Sequence, residues 1–208
     1  TQQQLDFLRF PLGQINKSET REIAKQLKLN VALKPDSQDI CFVPNGNYAS
    51  VIKKYRPQSF NKGDIFDLNG NKLGSHEGII NYTIGQRKGI KISSKEPLYV
   101  IDIRAKDNAI IVGPSESLNI RKLQLRNINL LSNKKAFEKS ILIKVRSTGK
   151  LLNAKVEIDK NSAHVEILEN EKGISPGQAC VFYSKDDVGE RVLGGGWIDK
   201  TINKNLST

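Results

Sequence analysis

Apolar residues near the start of the chain recur at helical spacing. Ile23 and Leu27 would lie on one face of a helix, and Asn16 followed by Glu19 resembles a capping box. We therefore predict a helix over residues 17–29, ended by Asn30. Pro35 then interrupts regular structure, so that residues 36–42 are expected to form a loop or the beginning of a strand.

Short apolar runs separated by glycine and asparagine begin at Gly63, a pattern typical of β-hairpins. The first run leads into Asn69-Gly70, a dipeptide that favours a tight two-residue turn, and Leu73 begins the return. A second hairpin is predicted from residues 98–103 and 109–112, closed by Gly113-Pro114. Residues 46–118 thus form a small, mainly β unit.

After the polar stretch at residues 115–122, further strands recur about every ten residues, as in a closed barrel. Ile141, Ile143 and Val145 alternate with Lys144 and Arg146, so that one strand face is apolar and the other is charged. The predicted strands are residues 125–130, 141–146, 154–158, 163–168, 180–183 and 192–198.

Composition fits a globular protein of 208 residues with 38% hydrophobic content. No apolar run approaches the roughly 20 residues that a membrane-spanning helix needs. The first four residues lack the pattern of a signal peptide, and the chain contains no methionine, so we expect that its beginning has been lost. Two cysteines without metal-ligand spacing and no export signal favour the reducing cytoplasm and argue against a disulfide scaffold or a bound metal.

The net charge of +11 favours polyanionic partners, with nucleic acid as the leading class. A solvated basic surface without a nucleic-acid partner would give the same composition, so charge alone leaves both interpretations open.

The two cysteines differ in their surroundings. Cys41 follows Asp36 and Asp39 in a polar segment, where a neighbouring cation such as Lys34 could lower its pKa. A reactive thiol and a small half-buried filler both remain open for it. Cys180 lies inside a predicted apolar strand and is expected in the core.

A basic turn at residues 82–89 places Gln86, Arg87 and Lys88 between two glycines. Such a turn can approach a phosphate backbone closely, although an ordinary solvated turn has the same composition. The run Gly194-Gly195-Gly196 lacks the strand-then-helix context of a phosphate loop and is interpreted as a bend or bulge at the barrel rim. His76 raises the alternative of a catalytic Cys–His pair with Cys41.

Taken in order, these segments resemble the bacterial tRNA-specific 2-thiouridylase family over almost the whole chain. The matching motifs are Phe10-Pro11-Leu12-Gly13, Asp36-Ser37-Gln38-Asp39-Ile40-Cys41-Phe42, Gly74 with His76 and Gly78, Tyr82 to Gly89, Tyr99-Val100, Val112-Gly113, Pro176-Gly177-Gln178 and Leu193-Gly194-Gly195-Gly196. Lys17, Glu19, Arg21, Ile23 and Ala24 match as well.

The resemblance implies an α+β chain in three parts. Residues 1–45 would be the helical or mixed tail of an α/β ATP-pyrophosphatase domain, residues 46–120 a small central β-rich domain, and residues 121–208 an antiparallel β-barrel that binds tRNA. The family's ATP-binding loop, its first catalytic cysteine and its Lys-Asp-Gln element have no counterpart in the sequence.

The resemblance also implies a sulfurtransferase that uses ATP, with Mg²⁺, to activate the wobble uridine of tRNA. Cys41 would carry sulfur as a persulfide and later form a disulfide with the cysteine that this chain lacks. Arg146, Ser147 and Gln178 fall on the family's tRNA-contacting positions, and Ser147 departs from the usual tyrosine, which removes an aromatic contact. Gln86, Arg87 and Lys88 are assigned to RNA on charge and placement.

The expected partners are tRNA and a persulfide donor, either a desulfurase or a sulfur-relay protein, and we expect a cytoplasmic monomer without a membrane partner. Two alternatives are kept: a basic β-barrel that binds RNA without catalysis, and a Cys–His hydrolase built on His76.

Overall fold

The structure is a computed structural model that describes residues 1–34, 43, 48–187 and 189–203. The chain separates into two compact units, Thr1–Tyr55 and Arg56–Thr208. The predicted Cys41 segment, residues 36–42, lies outside the described residues.

The described residues of the first unit form helices α1 (Gln2–Phe7), α2 (Lys17–Gln26) and α3 (Tyr48–Tyr55). The predicted capping box of α2 is confirmed, because the Asn16 side chain accepts from the Glu19 amide at 3.0 Å and the Glu19 carboxylate accepts from the Asn16 amide at 2.7 Å. The helix ends three residues earlier than predicted, since Lys28 adopts a left-handed φ of 54° that a continuing helix excludes. Helix α3 was not predicted from the sequence.

A mixed four-stranded sheet opens the second unit, with the order β2-β1-β4-β3. Its strands are β1 (Gly63–Phe66), β2 (Lys72–His76), β3 (Tyr99–Arg104) and β4 (Ala109–Gly113). Both predicted hairpins are present, and β1 also pairs in parallel with β4. The prediction of a two-residue first turn was wrong: Phe66 pairs with Lys72, because the Asp67 carboxylate accepts from the Asn69 and Asn71 amides and closes a longer loop.

Six antiparallel strands then close a barrel in the order β10-β5-β8-β7-β6-β9. They are β5 (Asn119–Leu130), β6 (Ile141–Lys144), β7 (Leu152–Asp159), β8 (Ser162–Lys172), β9 (Ala179–Lys185) and β10 (Glu190–Asn203). The predicted α+β class with a carboxy-terminal antiparallel barrel is confirmed.

Alternation places the barrel core as the sequence predicts. Ile141, Ile143 and Val145 are buried, and Cys180 is fully buried among them in the same cluster. Other fully or nearly fully buried members of the core are Leu123, Leu125, Leu152, Ala154, Ala163, Val165, Ile167, Ile174, Phe182 and Ile198.

Most barrel strands extend beyond their predicted limits, whereas β6 is shorter than predicted. β6 ends at Lys144 rather than Arg146, and β5 begins at Asn119, inside the stretch predicted to be polar and irregular. The glycine run forms the predicted bulge, with register shifts on both sides of Gly194 and Gly195, but within β10 rather than at its end. A Cβ on Gly195 would lie 2.6 Å from the Cys180 carbonyl oxygen, so the close approach of β9 requires glycine.

Candidate nucleic-acid interface

A groove on the barrel brings together the three residues that the family resemblance assigns to tRNA. It has a volume of about 600 Å³, and we call it the barrel groove. Its lining is Lys144, Val145, Arg146, Ser147, Thr148, Gln178, Ala179, Val181 and Tyr183. Residues more than 30 positions apart along the chain therefore share one concave surface.

Arg146 enters the groove from a turn rather than from a strand. The Gly149 amide donates to the Arg146 carbonyl oxygen at 3.1 Å, which closes a turn directly after β6 and exposes Ser147 and Thr148. The predicted extension of this strand to Arg146 was therefore wrong, although Arg146 and Ser147 both line the groove.

The Arg146 guanidinium is held by β8. Its Nη2 donates to Glu171 Oε1 and to the Lys172 carbonyl oxygen, both at 2.6 Å. Its Nε is buried without a partner among the described residues. A charge-assisted pair of this length fixes the side chain in one orientation.

Gln178 is presented by a left-handed turn. Gly177 has a φ of 85°, a region that favours glycine, and its amide donates to the Ile198 carbonyl oxygen at 2.8 Å. The Gln178 backbone oxygen accepts from the Ile198 amide at 2.8 Å, and its Oε1 accepts from the Ser175 amide at 3.4 Å. These bonds use the Oε1 oxygen and not the Nε2 amide of Gln178, a residue that lines the groove.

Tyr183 is a groove residue that the sequence analysis missed. It pairs with Leu142 across β6 and β9, while Val181 pairs with Lys144. Because Phe182 is fully buried, the alternation of the strand turns Tyr183 outward. That alternation was the signal that could have identified it.

A second carboxylate of β8, that of Glu169, binds the residues at the end of the β6–β7 turn. Glu169 Oε2 lies 3.0 Å from Lys150 Nζ, and its Oε1 accepts from the Asn153 amide at 3.0 Å and from Asn153 Nδ2 at 2.8 Å. The Asn153 backbone bond, followed by the Lys150 and Asn153 side chains, lowers the pKa of Glu169 to about 2.

The basic turn at residues 82–89, which we call the central turn, is built differently. Gln86 Oε1 accepts from the Thr83 amide at 2.9 Å, and its Nε2 donates to the Lys88 carbonyl oxygen at 2.9 Å. The side chain that was assigned to RNA thus closes the turn itself, and its contact with RNA stays a prediction. Arg87 and Lys88 are exposed.

A separate hollow of about 380 Å³ adjoins the central turn and shares no residue with the barrel groove. Arg87, Lys91 and Lys95 contribute exposed cations to it, and Glu96 is the one acidic residue of its lining. The sequence analysis noted only the first of these three cations.

His76 is part of the fold of the central sheet. It is 2% exposed, its Nδ1 accepts from the Gly78 amide at 3.0 Å, and its Nε2 lies 3.1 Å from the Asn108 carbonyl oxygen. Both ring nitrogens are occupied, which argues against a role as a general base.

Cys180 is chemically protected, as the sequence predicts. Burial raises the pKa of its thiol to about 12, so that the thiolate is scarce near neutral pH. Cys41, the predicted sulfur carrier, lies outside the described residues.

Among the described residues, no group of three or more His, Cys, Asp and Glu side chains could hold a metal ion. No helix in the described ranges is long and apolar enough to cross a membrane.

Three family models match successive parts of the chain. Residues 1–45 match the tRNA methyl transferase HUP domain, residues 49–114 the tRNA methyl transferase PRC-barrel domain, and residues 120–198 the Aminomethyltransferase beta-barrel domain. Together these matches cover nearly all of the sequence in the order that the resemblance requires.

Curated relatives extend the match. Proteins named tRNA-specific 2-thiouridylase MnmA from Maricaulis maris (strain MCS10) and Rickettsia massiliae (strain Mtu5) are 49% identical over 202 residues and 51% identical over 205 residues. The chain belongs to the tRNA-specific 2-thiouridylase family. In both comparisons 97% of this chain is aligned, with 50% and 55% of the two relatives, so the chain spans about half the length of the curated relatives it matches.

Within the 2-thiouridylase family, the barrel groove falls in the segment matched by the beta-barrel model. Cys41 falls in the segment matched by the HUP model, and the central turn falls in the PRC-barrel segment.

Proposed function

We propose that this chain is part of a tRNA 2-thiouridylase, a sulfurtransferase that replaces the C2 oxygen of the wobble uridine by sulfur in an ATP-dependent reaction. The observation that carries the proposal is the barrel groove, where Arg146, Ser147 and Gln178 meet. The names of the relatives support the same chemistry, since each is called a tRNA-specific 2-thiouridylase.

The groove has the groups that a tRNA strand requires. Arg146 and Lys144 supply positive charge for phosphates, and the Gln178 amide supplies a directed hydrogen-bond donor. Tyr183 adds an aromatic ring on which an unpaired base or a ribose can pack. We expect tRNA binding through this groove to weaken as salt rises, because phosphate contacts release counterions.

Contacts in the groove serve a second purpose in this proposal. Extruding a base from its stack costs about a few kcal/mol, and contacts elsewhere on the tRNA offset that cost. The barrel therefore holds the tRNA while the anticodon base is presented to the sulfur carrier.

Cys41 carries the sulfur as a persulfide, delivered by a desulfurase or a sulfur-relay protein. The terminal sulfur attacks C2 of a uridine whose C2 oxygen has been adenylated by ATP, so a carbon–sulfur bond forms as the carbon–oxygen bond breaks and AMP leaves. A second cysteine thiolate then attacks the Cys41 sulfur, which releases 2-thiouridine and leaves a disulfide. Cys180 is unsuited to that second role because it is fully buried and its pKa is raised to about 12.

ATP dependence rests on the family resemblance. The described residues do not fit a nucleotide site of the usual kind, since their glycine run lies inside the barrel strand β10 and is not followed by a helix. We therefore assign no step of ATP binding, and none of Mg²⁺ binding, to the described residues.

Replacing the sulfur carrier tests the proposal in the complete protein. Cys41→Ala should abolish thiolation of a wobble-uridine tRNA, measured as 2-thiouridine by mass spectrometry, while tRNA affinity stays unchanged. Cys180→Ala is the matched control and should retain thiolation. Thiolation that survives Cys41→Ala would refute the role of Cys41.

The basic barrel alone supports a second candidate, an RNA-binding module without catalysis. Its support is the net charge of +11 together with half-buried cations at the barrel groove and exposed cations at the central turn. This candidate predicts tight, salt-dependent tRNA binding by the 208-residue chain and no thiolation by the complete protein in any assay.

A further inference from the structure

The side of β8 that faces the core is apolar in its first part and carries carboxylates in its last part. Ala163, Val165 and Ile167 are buried in the barrel core, and the next two positions on the same face are Glu169 and Glu171. A carboxylate on a core-facing row is unfavourable unless it is paired. Both glutamates are paired: Arg146 and Lys150 lie in the β6–β7 turn, and Asn153 lies at the start of β7.

Glu169 holds one side of the turn and Glu171 holds the other. Glu169 binds Lys150 and Asn153, whereas Glu171 Oε1 accepts from Arg146 Nη2 at 2.6 Å. The side chains of Arg146 and Glu171 are 38% and 19% exposed, so water screens their attraction less than that of a fully exposed pair.

Glu171 also lies beside the arginine that is proposed to bind RNA, where a negative charge is unfavourable for phosphate binding. A carboxylate next to a phosphate-binding arginine repels the phosphate, so charge alone predicts that removing Glu171 tightens RNA binding. The geometry predicts the opposite. The described hydrogen bonds of Arg146 both use Nη2, which leaves Nη1 for a ligand of the barrel groove.

We propose that Glu171 is a positioning residue for RNA binding, which fixes Nη2 of Arg146 so that Nη1 meets an RNA phosphate in the barrel groove. An arginine held in this way loses less rotamer freedom when a ligand binds. The inference rests on the proposed tRNA-binding function of the groove.

The test measures the affinity of the 208-residue chain for a fluorescently labelled tRNA with uridine at the wobble position. Glu171→Ala should weaken binding about fivefold, or about 1 kcal/mol. Glu171→Gln keeps an oxygen acceptor for Arg146 and should recover most of the affinity. Glu166→Ala is the matched control, because Glu166 lies on the outward face of the same strand and carries the same charge.

A double-mutant cycle separates positioning from general stabilisation. Arg146→Ala with Glu171→Ala should bind no more weakly than Arg146→Ala alone, because Glu171 acts only through that arginine. Melting temperatures identify variants that fail to fold. If Glu171→Ala is one of them, Glu171→Asp replaces it, since the shorter side chain withdraws the carboxylate and should also weaken binding.

Tighter or unchanged binding by Glu171→Ala, or by its replacement Glu171→Asp, would overturn the positioning role. The proposed function fails separately: if Arg146→Ala itself leaves tRNA affinity and its salt dependence unchanged, the groove is not the docking surface. If Arg146→Ala weakens tRNA binding but the Glu171 variants do not, only the positioning role of Glu171 is refuted.

Discussion

Two regions of the second unit carry the residues that the sequence analysis assigns to RNA, the barrel groove and the central turn, and they are built differently. In the groove, Glu171 holds the Arg146 guanidinium at 2.6 Å, and Tyr183 contributes an aromatic ring to the same concave surface. In the central turn, Arg87 and Lys88 are exposed, and the polar side chain of Gln86 is used to close the turn.

Because the two regions hold their cations differently, equal charge does not imply equal RNA binding. A cation that is already oriented in a concave site can add a directed hydrogen bond, whereas a flexible exposed cation adds mainly screened attraction. We therefore expect the groove to determine how the tRNA is held and the central turn to contribute general attraction to its backbone.

The largest expected effect comes from a comparison of two charge-matched pairs. In the barrel groove, the double variant Lys144→Ala with Arg146→Ala should weaken tRNA binding about 30-fold, because hydrogen bonds to charged groups are worth roughly 1–3 kcal/mol. In the central turn, Arg87→Ala with Lys88→Ala should weaken it about threefold, because exposed charges contribute less. Fluorescence anisotropy at several salt concentrations measures both. Equal losses in the two pairs would remove the distinction between the regions.

A smaller effect is expected at Tyr183. Tyr183→Ala should weaken tRNA binding about tenfold, since base stacking on an aromatic side chain is worth about 1–3 kcal/mol. Tyr183→Phe is the control and should bind like the wild type, because it keeps the ring. If Phe loses as much as Ala, the hydroxyl rather than the ring makes the contact.

Gln86→Ala should act on stability rather than on RNA. Loss of its two side-chain hydrogen bonds should reduce the free energy of unfolding by about 1–2 kcal/mol, measured by urea denaturation. Affinity for tRNA should stay within about twofold of the wild type. Lys88→Ala, at an exposed position of the same turn, should leave stability unchanged. A loss of affinity without a loss of stability would instead assign Gln86 to RNA, as the sequence analysis did.

The smallest expected effect is on the pH dependence of folding stability, through Glu169 at the turn beside the barrel groove. Because the pKa of Glu169 is lowered from 4.5 to about 2, its bonds stabilise the folded state fully above pH 4.5 and lose that contribution as the pH falls toward 2. The melting-temperature difference between wild type and Glu169→Gln should therefore be largest above pH 4.5 and shrink below it. Glu166→Gln, on the outward face, should show no such trend if the bonds at Glu169 are the cause.

Local pattern predicted much of the fold. The alternation of Ile141, Ile143 and Val145 with charged residues gave the correct faces of β6, and the capping box at Asn16 gave the correct start of α2. The ends of elements were less predictable: β6 stops at Lys144, since the Gly149 amide closes a turn on Arg146. Helix α3 was missed because the segment around it was assigned to a β unit.

In the candidate site, too, some residues were predicted from the sequence and others were not. Arg146, Ser147 and Gln178 were assigned from a family resemblance, and Tyr183 and Glu171 were not assigned at all. Alternation along β9 could have identified Tyr183, but the role of Glu171 depends on Arg146, a partner 25 positions away in the sequence that alternation does not identify.

The sequence alone determined the helix at Lys17, the mainly β character of the chain after Gly63, the inward and outward faces of β6 and the burial of Cys180, because each follows from the pattern of a short segment. Tertiary structure decided which polar side chains are held and which are free. Closure of the barrel brings Glu171 to Arg146, and folding of the central turn occupies Gln86, because both outcomes depend on partners that only the folded chain places within hydrogen-bonding distance.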